Sequence, residues 1–204
     1  MKAVAEYLDD NFQRDSYIKY RAMLVGLFRF AIMKGLYPAD AGNPAEITYA
    51  KSDYEKARRR MTLAQFWEIH EKADPWMQLA MEVALITLQG RAEVINMKYS
   101  DYQDKVLKVI RQKSSKHEHS HLMIHCPQLE DIIARSRQSG IASPYIIHRR
   151  PERKVQAKSR DHWTKLTPNH FTAEFRKVRD KCESFKNMPR QHRPTFHEIR
   201  ALGS

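Results

Sequence analysis

Four helix starts are written into the last two thirds of this chain, and they leave little room for strand. Thr62 with Gln65 three residues on has the capping-box pattern, Pro75 suits a first helical turn, Thr167 precedes Pro168, and Thr195 is followed by Glu198 as a second capping box. Apolar residues follow at helical spacing: Phe66, Ile69 and Ala73; then Leu79, Val83 and Ile86 in a helix expected to stop at Gly90 or just beyond; then Phe171, Phe175 and Val178. Upstream, Tyr20, Met23, Leu24, Leu27, Phe30 and Ala31 predict an amphipathic helix over 16–34 whose apolar stripe packs, closed by Gly35. Leu129, Ile132 and Ile133 mark a further helix. Strand character is confined to 106–111 and 122–125, joined by a polar hairpin turn at 113–120, and to a short buried strand at 145–147. The expectation is a mainly α fold with a small antiparallel β-sheet.

The charge is one-sided. The chain of 204 residues has a formal net charge of +12, yet residues 1–57 hold eight basic and eight acidic side chains, so the whole excess lies downstream. Residues 141–193 alone carry fourteen basic side chains against five acidic, interleaved with Tyr145, His148, Trp163 and His170. Such a surface suits a polyanion, and nucleic acid, whose neutralised phosphates release counterions, is the first candidate. Turn residues at 37–44 and a polar stretch at 51–60 predict a linker, giving two domains, 1–57 and 58–204. Two isolated cysteines, Cys126 and Cys182, make neither a disulfide framework nor a cysteine zinc site. The longest apolar run, around Leu79 to Leu88, is broken by Glu82, and the start shows no signal-peptide pattern, so a cytoplasmic location and no membrane partner are expected.

Three blocks then carry a resemblance. Residues 79–94 and 96–101, which include Thr87-Leu88-Gln89-Gly90-Arg91 and Met97-Lys98-Tyr99-Ser100-Asp101, are similar to the first arginine box of the tyrosine recombinases and the segment leading into their sheet. Val109-Ile110-Arg111-Gln112-Lys113 resembles the strand that ends at the family's catalytic lysine, and Pro194-Thr195-Phe196-His197-Glu198-Ile199-Arg200 resembles its His-x-x-Arg box. The order and separation match a lambda-type phage integrase over roughly residues 60–204. The resemblance implies the DNA breaking-rejoining catalytic domain, lacking its C-terminal end and preceded by part of a helical core-binding domain.

It also implies site-specific DNA recombination, the integration of phage or prophage DNA, through a 3′-phosphotyrosine, with no metal or other cofactor. Fixed guanidiniums suit charge building on the non-bridging oxygens, a lysine can protonate the departing 5′ oxygen, and a histidine can orient phosphate and move a proton. The matching positions are Arg91, Lys113, His197 and Arg200. Two departures stand. The family's first arginine falls on Gly90, with Arg91 one residue late, and Lys116 competes with Lys113 as general acid. No tyrosine follows His197, so the chain is expected to bind DNA without cutting it. The alternative is a catalytically decayed DNA-binding module of the same fold.

Candidate DNA contacts are Arg58, Arg59, Arg60, Lys116, His119, Arg149, Arg150, Lys154 and Lys165. The partner expected is double-stranded attachment-site DNA, with a tetramer for the full-length form and a monomer for this chain. His117, His119 and His121 alternate but lack metal-ligand spacing, and no metal is expected.

Overall fold

In this computed structural model the described residues are 2–12, 14–48, 59–110, 121–151 and 161–203. They divide into two compact units, Met1–Lys56 and Ala57–Ser204.

In the first unit, α1 (Lys2–Asn11) pairs with α2 (Arg14–Met33). Gly35 (φ 69°) ends α2 in a Schellman motif: its N–H donates to Ile32 O at 3.0 Å and that of Leu36 to Ala31 O at 2.8 Å. The following loop hangs on α2 through polar side chains. Asn43 Nδ2 donates to Val25 O (3.0 Å), Arg21 Nη2 to Glu46 O (2.9 Å) and Arg29 pairs with Glu46 at 2.8 Å. Buried here are Leu8, Tyr17 and Ala45. The stripe expected to pack is only partly covered: Tyr20, Met23, Leu27 and Phe30 are exposed, while Leu24 and Ala31 are half-buried.

The second unit holds one continuous hydrophobic core. α3 (Leu63–Lys72) opens on the Thr62–Gln65 capping box, with both reciprocal bonds formed, and buries Phe66 and Ile69. α4 (Pro75–Thr87) ends earlier than the sequence suggests. Leu88 takes a left-handed conformation (φ 55°), and Gln89 Nε2 donates to the Thr87 carbonyl at 2.8 Å, satisfying a group the helix end would orphan. A single turn, α5 (Arg91–Val94), follows with Gly90 as its N-cap.

The sheet has three antiparallel strands, β1 (Tyr102–Gln103), β2 (Val106–Ile110) and β3 (His121–His125). Asp104 and Lys105 join the first two with positive φ at both positions, the type I′ geometry that matches strand twist. Leu107 pairs with Ile124 and Val109 with Leu122, and both Leu107 and Val109 are buried. The expected turn at 113–120 lies outside the described residues, as does Arg111. Residues 145–147 form no strand. They are buried, but pairing stops at one bridge between Lys98 and Tyr145, with Ile146 N–H on Met97 O and Tyr99 N–H on Pro144 O, both 2.9 Å.

α6 (Pro127–Arg137) buries Leu129, Ile132 and Ile133 against α4. Glu82 of α4 ties three helices: it meets His70 of α3 at 2.8 Å and Arg135 of α6 at 3.2 Å. Burial pushes the Glu82 carboxyl up, and the bonds from Arg135 and His70 outweigh it, leaving its pKa below the ordinary glutamate value. α7 (Pro168–Arg179) starts as expected, with Thr167 Oγ1 accepting from His170 N–H at 3.3 Å, and buries Phe171 and Phe175. A short helix, α8 (Glu183–Lys186), and 3₁₀ turns at Tyr99–Asp101, Arg190–His192 and Phe196–Ala201 complete the elements of the described residues.

Candidate phosphate site and nucleic-acid interface

The His-x-x-Arg segment is a 3₁₀ turn and not the start of an α-helix. Thr195 makes no side-chain cap, because the Glu198 N–H that a capping box would use is already bonded to the Thr195 carbonyl at 3.0 Å. The expected capping box is therefore absent, and a six-residue turn offers no helix-end anion site. What the tighter winding supplies is alignment: at three residues per turn, positions i and i+3 eclipse. Phe196 and Ile199 share the inward face and are buried, while His197 and Arg200 stand exposed.

α7 positions this turn from two places. The Phe196 ring lies edge-on to Phe171 (centroids 4.7 Å) and to Phe175 (5.5 Å). Arg179, only 4 % exposed, donates from Nη1 to Pro194 O at 2.7 Å, fixing the residue that enters the turn. On the far side, Gly203 approaches the C-terminal end of α4 so closely that an added Cβ would sit 2.5 Å from Leu85 O.

α7 also holds Arg91. Its Nη1 donates to Pro168 O at 3.2 Å and to Thr172 Oγ1, both in the first turns of α7. Arg91, His197 and Arg200 are thus all carried by elements locked onto α7, and among the described residues the remaining Arg91 donors, Nε and Nη2, make no hydrogen bond to a protein acceptor. Gly90 has an ordinary φ of −80°, and a Cβ there would meet only Glu93 Oε2, at 3.1 Å.

The candidate DNA contacts fall into different environments. Arg59, Arg60 and Arg150 are exposed. Arg149 is half-buried, its guanidinium 5.9 Å from the Trp76 ring centroid. Lys165 is not a free cation: its Nζ lies 3.2 Å from Asp161 and 5.4 Å from the Tyr145 ring centroid, and Lys98 reaches the same carboxylate at 3.5 Å. The Tyr145 hydroxyl donates to Asp161, and with Lys165 this holds the Asp161 carboxyl at about 2. Lys113, Lys116, His119, Arg58 and Lys154 lie outside the described residues. Among the described residues no group of three or more His, Cys, Asp or Glu could hold a metal ion, and no helix is long and apolar enough to cross a membrane.

Sequence reasoning singled out none of Arg176, Arg179, Arg190 and Arg193, which the fold gathers in one cavity. Their signal is the repeated i, i+3 arginine spacing, read above only as bulk charge.

No protein-family model matches the chain. Curated proteins do: the chain is 28 % identical over 189 residues to the integrase of Enterobacteria phage P21, and 30 % identical over 193 residues to that of Escherichia phage HK022. These alignments take in 89 % and 90 % of this chain, and 47 % and 48 % of the two integrases. Over about nine tenths of its length the chain is similar to phage integrases. It spans about half the length of the curated relatives it matches. Among solved structures, a lambda integrase dimer (residues 75–356) bound to a COC′ core site superposes with a TM-score of 0.74 at 22 % identity, covering 99 % of this chain and 70 % of that one. The fold is that of the lambda integrase catalytic domain, mainly helical with a small antiparallel sheet.

Proposed function

We propose that this chain is the DNA-gripping and phosphate-orienting part of a tyrosine recombinase acting on phage or prophage attachment-site DNA in the bacterial cytoplasm. The observation that carries the reading is the 3₁₀ turn: Phe196 and Ile199 anchor it, and His197 and Arg200 are presented together at the surface. On this reading Arg200 and Arg91 take the non-bridging phosphate oxygens as fixed, always-charged donors, and His197 orients the phosphate and moves a proton. Lys113 is the proposed general acid, with Lys116 as its competitor. Residues 1–57 act as a partial clamp ahead of the catalytic domain, 58–204, and the chain by itself works as a monomer.

The chain by itself is proposed to bind without cleaving. Of the tyrosines of the second unit, Tyr99 OH meets Ser136 Oγ at 2.7 Å, Tyr145 OH donates to Asp161, and Tyr102 OH is buried. The second reading, a decayed DNA-binding module, draws on Gly90 at the register of the family's first arginine and on the Arg91 Nη1 bonds to α7.

A nicked duplex that traps covalent intermediates tests both parts. Binding without an adduct, weakened by Arg200→Ala, is expected. A phosphotyrosine adduct would show that one of these tyrosines is the nucleophile, and binding indifferent to Arg200→Ala would favour the decayed module.

A further inference from the structure

Beside the His197–Arg200 turn, at the C-terminal end of α7, lies a cavity of about 520 Å³ whose lining includes Arg176, Arg179, Asp180, Arg190, Arg193 and Thr195. Four guanidiniums face one carboxylate. Two of them are structural. Arg179 and Arg193 both bind Asp180 Oδ1, at 2.7 and 3.0 Å, and also donate to Pro194 O (2.7 Å) and Met188 O (2.8 Å), so they form a nearly buried floor with one positive charge in excess. Arg176 and Arg190 are different. Both are exposed, and among the described residues neither makes an ion pair or a side-chain hydrogen bond.

An arginine pair kept without a protein acceptor, over a floor already in positive excess, has oxyanion chemistry. Guanidinium forks take two oxygens of one phosphate, which a lysine cannot do. The lining is polar and charged, which makes a poor site for an apolar molecule. Two further observations favour a phosphate that belongs to DNA. The Arg59 N–H donates to His192 O at 3.0 Å, which brings the exposed Arg59 and Arg60 alongside the turn carrying Arg190, so the cavity continues into a basic track. Thr195 lines the cavity and directly precedes the turn that presents His197 and Arg200, so a strand held at one site runs on to the other.

We propose that Arg176 and Arg190 bind a backbone phosphate of the duplex in this cavity, a second phosphate site distinct from the one at His197 and Arg200. The assignment rests on the DNA-binding reading above. Its role is positioning: it fixes where the strand lies relative to the reacting phosphate and carries no base information.

The test compares the intact chain with the double variant Arg176→Ala/Arg190→Ala and with Lys177→Ala/Lys181→Ala, an equal charge change at exposed lysines that do not line the cavity. Duplex affinity is measured across a salt series, and inorganic phosphate is titrated with arginine Nε–H resonances as the readout. The expected result is roughly tenfold or greater loss of duplex affinity at low salt for the arginine pair, with a salt slope smaller by about one, against a change of about threefold or less for the lysine pair. Equal losses in the two variants, or none in either, overturn the site while leaving DNA binding itself intact. If the unmodified chain fails to bind duplex, the DNA reading fails separately. Phosphate-dependent shifts at Arg176 and Arg190 in the intact chain would then assign the cavity to free phosphate, and their absence would remove it altogether.

Discussion

Phe196 stands edge-on to Phe171, with ring centroids 4.7 Å apart and planes at 89°, and through this contact α7 carries the turn that presents His197 and Arg200. Removing the ring should cost about 3–5 kcal/mol, the range for a buried aromatic cut to alanine. Phe196→Ala is expected to lower the urea midpoint sharply and Phe196→Leu to recover much of it. Equal midpoints for Phe196→Ala and the parent chain would mean that the turn is not anchored by this contact.

Gly203 reads out the other edge of the same turn. A Cβ there would fall 2.5 Å from Leu85 O and 2.6 Å from Leu88 Cδ2, and the first of these is backbone that cannot rotate away. Gly203→Ala should lift the segment off α4 and raise hydrogen exchange at the Leu202 amide, which is bonded to Ile199 O at 3.0 Å. Unchanged exchange at Leu202 would contradict the close packing.

The first arginine can be restored by one substitution. Gly90 has φ −80°, open to any residue, and its Cβ would need only the Glu93 carboxylate to yield slightly. Gly90→Arg should fold with unchanged thermal stability, within about 1 kcal/mol, and tighten duplex binding roughly five- to tenfold by adding a phosphate donor. Weaker binding would place this position away from DNA.

The Asp161 carboxyl, held at about 2 by the Tyr145 hydroxyl and by Lys165, gives a pH signature. Because its pKa is depressed in the folded state, its contribution is fully present above about pH 4 and is lost as the pH falls towards 2. Asp161→Asn should flatten the dependence of Tm on pH in that window. It should also free Lys98 and Lys165, now paired with this carboxylate at 3.5 and 3.2 Å, and so steepen the salt dependence of duplex binding. Parallel Tm profiles for variant and parent between pH 4 and 2 would refute the linkage.

What the sequence revealed is mostly local chemistry. Thr62 with Gln65 and Thr167 with Pro168 start helices where they were expected, because capping bonds span only three residues. Thr195 with Glu198 shows a similar pattern and a different outcome, since Phe196 packs edge-on to Phe171 of α7, Ile199 is buried on the same face and the segment winds as 3₁₀. Leu88 in a left-handed conformation ends α4 before Gly90, where a glycine would have been the better sequence signal. β1 is two residues long and carries no periodicity to read. The exposed Tyr20, Met23, Leu27 and Phe30 show that apolar spacing marks a face without saying what covers it. The arginine cavity was illegible because Asp180 joins Arg179 to an arginine fourteen positions away.

Arg91 and Arg200 are proposed to meet one phosphate in an assembled site. Duplex affinity of the chain and of Arg91→Ala/Arg200→Ala, each over a salt series, addresses this most directly. Binding is expected to fall steeply with salt, and the double variant to bind more weakly with a slope smaller by about one. Salt-sensitive binding identical in the two proteins would contradict the proposal, placing DNA on other basic surfaces and leaving the phosphate site unassembled.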